Sequence, residues 1–188
     1  VVMRRVVVTG MGVVSSLGVG LQKNWGDLLA GKSGITAIEN FDVSDLPAKI
    51  AGQVPNGNTD DGLFNADDWV PTKDQRRMDD FIIYGLCAAQ QAIEDSGWKI
   101  DREEDAWRTG VLIGSGIGGL PEIADGSVKV HEGRARRLSP FFIPASLINL
   151  ISGHVSIRYG LKGPNHAVVT ACSTGAHAIG DAARIIMW

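Results

Sequence analysis

Cysteine is almost missing from this chain. Cys87 and Cys172 are the only two among 188 residues, too few for a disulfide framework, so a reducing cytosol is the simplest compartment. No group of Cys, His and acidic residues has metal-ligand spacing, and no metal is expected. Every charge-free apolar run falls short of the ~18 residues a membrane span needs. The opening Val1-Val2-Met3-Arg4-Arg5 leads into a short strand pattern rather than a signal-peptide core. Val1 and Val2 read as an extension or cloning remnant before Met3. Net positive charge is lacking too: the formal charge of −3 argues against general nucleic-acid binding. Low-complexity tracts and internal repeats are absent. What remains, 44% hydrophobic and 21% charged, suits one or two ordinary globular layers.

The pattern alternates strands with helices. Residues 5–9 (RVVVT) read as a buried strand ending at Gly10-Met11-Gly12, and Leu21, Trp25, Leu28 and Leu29 form a helical stripe stopped by Gly31. Residues 41–72 turn to Asp, Asn, Gly and Pro, which predicts irregular connection with one short strand near residues 49–52. Met78, Phe81, Ile82, Leu86, Ala89 and Ile93 then hold the helical period as far as Ser96-Gly97, which makes Cys87 a packing residue. Residues 110–113 form the next strand, followed by the sharp bend Gly114-Ser115-Gly116-Ile117-Gly118-Gly119. After a polar, basic segment, Pro144 opens a helix through Leu147, Ile148, Ile151 and Val155 that ends near Gly160. The expected class is an α/β sheet with helices packed on it.

Cys172 lies where the apolar stretch 167–170 meets Ala171-Cys172-Ser173-Thr174-Gly175. A helix follows, because Ala176, Ile179, Gly180, Ala183, Ile186 and Met187 recur at three- and four-residue steps that form one packed face. Ser173 and Thr174 are expected to cap its first turn. Unpaired backbone N–H groups and the positive end of the helix favour a thiolate there, so Cys172 is the candidate nucleophile.

A nucleophilic Cys ordinarily needs a base, and none of the four histidines fits. His177 lies about 140° around the helix from Cys172, His166 sits in the turn before the strand, His154 in another helix and His131 in the basic segment. Gly114, Gly116 and Gly119 satisfy G-x-G-x-x-G after a predicted strand, which raises dinucleotide binding as a rival. Against it, the position about 20 residues beyond the last glycine is Ser139 rather than an acidic ribose partner. Six of the 18 basic residues fall in two runs, Lys73, Arg76, Arg77 and Arg134, Arg136, Arg137. These are either one local patch or separate solvated charges.

Seven segments carry a resemblance: RRVVVTGMG (4–12), LLAGKSGI (28–35), DQRRMDDF (74–81), IGSGIGGL (113–120), SPFFIP (139–144), YGLKGPN (159–165) and TACSTGAHAIGDAARII (170–186). In this order they resemble the N-terminal half of the β-ketoacyl-acyl-carrier-protein synthases, particularly the type II elongation enzymes of fatty-acid synthesis. The resemblance implies a thiolase-like fold, with residues 1–188 as the first αβ repeat of a five-layered αβαβα sandwich, and a homodimer. It implies that Cys172 accepts an acyl group from acyl-carrier protein. The carbanion formed when malonyl-carrier protein loses carbon dioxide then attacks this thioester, and no cofactor is called for. Ile117 takes the role of an acyl-pocket wall and Phe142 that of a residue reaching into the partner subunit's pocket. Lys73, Arg76, Arg77, Arg136 and Arg137 match the basic positions that receive the acidic carrier protein.

The family pattern continues past Met187-Trp188 into a second half that supplies two histidines, a lysine and a glycine-phenylalanine gate. The 188 residues alone are therefore expected to lack condensing activity and to leave apolar faces uncovered, favouring self-association. A polyketide-type ketosynthase, or a non-catalytic carrier-binding or dimerisation fragment, are the alternatives.

Overall fold

The computed structural model describes residues 3–188; Val1 and Val2, read above as an extension, lie outside the described residues. At its centre, helix α3 (Asp80–Ser96) packs against α7 (Leu150–Tyr159). Ile82, Leu86 and Cys87 of α3 are essentially inaccessible, and Ile151 and Val155 of α7 meet them. Each such side chain contributes about 1.5–3 kcal/mol on burial. Gly85 lets the helices close, since a Cβ there would stand 2.7 Å from Ile151 Cγ2. Strands β5 (Val111–Leu112) and β6 (Asn165–His166) form a parallel pair against α7. Helix α8 (Thr174–Met187) also packs on β5. Strand–helix alternation with parallel pairing fits the expected α/β class.

Several elements stand where local pattern put them. Helix α1 (Leu21–Leu29) stops before Gly31, which takes φ 68°, and α3 ends at Gly97 with φ 64°, conformations that cost glycine nothing. The expected strand near residues 49–52 is β4 (Ile50–Gly52), antiparallel to β3 (Ile35–Ala37). An unforeseen hairpin, β1 (Val14–Ser15) with β2 (Gly18–Val19), precedes α1.

Other expectations are corrected. Residues 5–9 form no strand: among the described residues no ladder pairs with them, and Val7 and Val8 are 61% and 75% exposed. Strand pairing needs a neighbour that apolarity alone does not supply. The strand expected at residues 167–170 is β6, placed two residues earlier and only two residues long. The helix expected from Pro144 to Gly160 is two helices, α6 (Phe142–Ser146) and α7. Leu147 breaks it with extended backbone (ψ 130°), and Pro144 sits in the first turn of α6, where a missing N–H costs nothing. Three further helices are α2 (Thr72–Gln75), α4 (Glu103–Arg108) and α5 (Leu120–His131).

The apolar faces of α1 and α8 point the other way from expectation. In α1, Asn24 is the buried residue, with Nδ2 donating to Gly18 O (3.0 Å) and Gly20 O (2.9 Å), while Trp25, Leu28 and Leu29 are exposed. In α8, Thr174 and Ala178 face inward, whereas Ile179, Ile186 and Trp188 are exposed. Their period marks a helix correctly, but among the described residues nothing covers the apolar stripe. Among the described residues no helix is long and apolar enough to cross a membrane.

Candidate active site

Cys172 is exposed, in the 3-10 turn Ala171–Ser173 that runs directly into α8. Ala171, just before it, has φ 51° and is the one non-glycine residue with positive φ among the described residues. That conformation costs an L-residue about 1–3 kcal/mol, so the surrounding bonds must hold it. Thr170 O accepts from Ser173 N–H (3.1 Å) and Ser173 Oγ–H (2.7 Å). Thr174 Oγ1 accepts from Thr170 N–H (2.9 Å) and donates to Ala171 O (2.7 Å). Ser173 and Thr174 therefore do not cap the first turn of α8 as expected; their hydroxyls bond back into the turn that presents the thiol.

The glycine-rich bend presses on this turn. A Cβ at Gly114 would stand 2.2 Å from Val168 O and 2.4 Å from Thr174 Cγ2, and one at Gly116 would stand 3.0 Å from Ala171 O. These glycines permit close backbone approach beside Cys172, which accounts for them without a dinucleotide. Gly118 takes φ 79° and donates its N–H to Ser115 Oγ (3.0 Å), which leaves Ile117 at the tip of the bend, 67% exposed. Beyond the bend, the buried carboxylate of Asp79 accepts from Glu122 N–H (3.0 Å) and so satisfies the start of α5 across 43 residues of sequence.

Phe142 opens α6, and its ring fills the space beside Gly126 of α5, where a Cβ would come within 2.4 Å of Cε2. In this single chain the ring thus lies against its own α5, together with Val130, His131 and Leu138 around a shallow hollow.

One contact links the neighbourhoods of the two basic runs. Arg77 lies 4.9 Å over the Phe141 ring, a cation–π contact that joins the α2 segment to the residues after the 3-10 turn Ala135–Arg137. Lys73, Arg76, Arg77, Arg136 and Arg137 are all exposed, and among the described residues none of the five takes part in a salt bridge. Arg134, by contrast, pairs with Glu132.

The histidines do not assemble around the thiol by any hydrogen bond among the described residues. His166 is exposed on β6 and His131 on α5. His154, on α7, is half-buried in a hollow with Asp74, Arg77 and Arg158; burial, chiefly, and Arg158 hold it below the ordinary imidazole range. His177 Nδ1 lies 3.2 Å from Thr170 Oγ1, and its Nε2 lies 3.1 Å from Asp181 Oδ2. The i,i+4 spacing of His177 and Asp181 was the available sequence clue to that pair. The second cysteine is inert by position: burial pushes the Cys87 thiol up to about 12, against a weaker opposing hydrogen bond from Gln91.

Residues 3–187 match the family model described as Beta-ketoacyl synthase, N-terminal domain. The chain belongs to the β-ketoacyl synthase family. Among relatives of this ketoacyl synthase domain, the 3-oxoacyl-[acyl-carrier-protein] synthase 2 of Rhizobium meliloti (strain 1021) is 57% identical over 184 residues, covering 98% of this chain and 44% of the relative. A solved β-ketoacyl synthase from Burkholderia phymatum STM815 superposes with a TM-score of 0.77 at 27% identity, covering 98% of this chain and 44% of that one. A type II polyketide acyl-carrier protein in complex with its ketosynthase bound to the hexaketide superposes at 0.66 with 23% identity, covering 98% and 48%. The ketoacyl synthase chain thus has the thiolase-like α/β fold of its family and spans less than half the length of these relatives.

Proposed function

We propose that the full-length protein is a fatty-acid-elongating condensing enzyme, working as a cytosolic homodimer, in which Cys172 carries the growing acyl chain. The observation that carries the reading is the Cys172 turn: an exposed thiol on a strained, hydrogen-bonded turn at the head of a helix, with glycine backbone pressed against it. The thiolate attacks the acyl thioester carbonyl of a loaded carrier protein, and the carrier's thiol leaves. Among the described residues the Cys172 N–H has no intramolecular acceptor, so it is free to hydrogen-bond the oxyanion that develops. Malonyl-carrier protein then loses carbon dioxide, and its carbanion attacks the Cys172 thioester to give a β-ketoacyl product two carbons longer. Ile117 walls the acyl pocket and Phe142 borders the pocket shared with the partner subunit.

Lys73, Arg76, Arg77, Arg136 and Arg137 receive the acidic carrier protein, a reading supported by their exposure and by the absence of any salt bridge to the five among the described residues. Charge complementarity of this kind acts mainly on encounter rate and orientation. The test is intact-mass analysis after incubation with acyl-carrier thioesters of several chain lengths. An acyl adduct on Cys172, with β-ketoacyl product after malonyl-carrier protein is added, supports the proposal. An unmodified Cys172 rejects it. The polyketide neighbours favour one second reading, a polyketide-type ketosynthase; preference for poly-β-keto over saturated acyl donors in the same assay would select it.

A further inference from the structure

Every bond that holds the strained turn at Ala171 begins or ends at Thr170 or Thr174, and the Thr170 side chain is tied to the body of α8. The geometry points to Thr170 and its hydrogen-bond partner His177, with Asp181 beside the ring, as a positioning relay for Cys172, an inference that rests on the reading of Cys172 as acyl acceptor. Thr170 Oγ1 lies 3.2 Å from His177 Nδ1, and His177 Nε2 lies 3.1 Å from Asp181 Oδ2. Asp181 on the Nε2 side favours the tautomer that carries the proton on Nε2; Nδ1 is then an acceptor, and the Thr170 hydroxyl donates to it. Asp181 thereby biases the imidazole tautomer, and the imidazole holds the Thr170 rotamer.

Thr170 transmits this to the nucleophile through its backbone. Its carbonyl takes both the N–H and the hydroxyl of Ser173, and its N–H goes to Thr174 Oγ1, so these bonds bracket Ala171 and Cys172. With φ at 51°, Ala171 would relax to an ordinary conformation once those bonds loosened, and the direction of the Cys172 side chain would change with it. The His177 and Asp181 side chains are 39% and 37% accessible, so charge attraction between them is weak and the Thr170–His177 hydrogen bond carries the effect. Neither His177 nor Thr170 takes a proton from the thiol in this scheme; both are positioning residues.

The experiment measures acyl transfer to Cys172 in the full-length protein carrying Thr170→Val, Thr170→Ser, His177→Ala or Asp181→Ala. Loss of one hydrogen bond predicts a roughly five- to tenfold fall in the acylation rate constant for Thr170→Val and His177→Ala. KM for the acyl donor stays unchanged, and Thr170→Ser, which keeps the hydroxyl, restores most of the rate. Asp181→Ala is expected to give a smaller fall, because it removes only the group that biases the tautomer. Thr170→Val at the wild-type rate, or Thr170→Ser as impaired as Thr170→Val, overturns the relay. Persisting protection of Cys87 from alkylation in each variant shows that the fold survives. Should the wild-type protein fail to acylate Cys172, the proposed function falls, and the relay is read instead from iodoacetamide: slower alkylation of Cys172 in Thr170→Val supports it, and equal rates overturn it.

Discussion

Gly114→Ala tests the close approach beside Cys172 most severely. The added Cβ would stand 2.2 Å from Val168 O and 2.4 Å from Thr174 Cγ2, where ordinary contacts begin near 3.4 Å. The first neighbour is backbone and cannot rotate away. The second belongs to a buried side chain whose hydroxyl makes two hydrogen bonds, each worth about 1 kcal/mol, that a rotamer change would forfeit. Overpacking costs about 1–3 kcal/mol, and with the loss of one of those bonds the expected destabilisation is about 3 kcal/mol, or roughly 6–12 °C in Tm for a unit of this size. Gly116→Ala meets Ala171 O at 3.0 Å and is expected to cost about 1 kcal/mol. Gly180→Ala, in mid-helix with nothing within 4 Å, is expected to gain up to about 1 kcal/mol. Thermal unfolding by circular dichroism gives the order, and iodoacetamide labelling of Cys172 reports the turn itself. Gly114→Ala melting with the wild type and labelling at the same rate would refute the reasoning, as would a larger loss for Gly116→Ala.

At pH 8, iodoacetamide should label Cys172 and spare Cys87, which becomes reactive only after denaturation because burial both hides its thiol and pushes it up to about 12; equal native labelling of both would contradict the packing of α3. Arg136→Glu with Arg137→Glu should weaken carrier-protein binding at least tenfold at low ionic strength, with the difference shrinking as salt rises; affinity equal to wild type at low salt would remove the patch from the account. His154, held mainly by burial below its ordinary value of 6.5, takes up protons less readily folded than unfolded, so its contribution is fully present above about pH 6.5 and declines as pH falls below it. His154→Gln should flatten that part of the stability profile in urea titrations between pH 5 and 7 (about that range), and an unchanged slope would exclude His154 as its source.

Helix bounds were legible because their signals are local. The period through Ile82, Leu86 and Ile93 and the stop at Gly97 lie within one stretch of chain. Pairing and facing were not local. Val7 and Val8 have strand character without a strand beside them, and the stripes on α1 and α8 mark helices without saying what covers them. What stabilises the starts of helices α4 and α5 is specific bonding that their sequences do not display: Asp105 accepting from Arg102 N–H in one, and distant Asp79 accepting from Glu122 N–H in the other. At the site, the strand–turn–helix context was enough to single out Cys172. The positive φ at Ala171 was hidden, since alanine does not advertise that conformation, and the glycines resembled a phosphate loop until their contacts with Val168 and Ala171 were seen. The Arg77–Phe141 contact, which links the neighbourhoods of the two basic runs, was not legible in the sequence.

The central claim is that Cys172 is the acyl acceptor. Its most direct test is peptide mapping of the full-length protein after exposure to an acyl-carrier thioester. The account predicts one acyl adduct, on Cys172, removed by hydroxylamine and absent from Cys172→Ala; an adduct elsewhere, or an equal yield in Cys172→Ala, would contradict it.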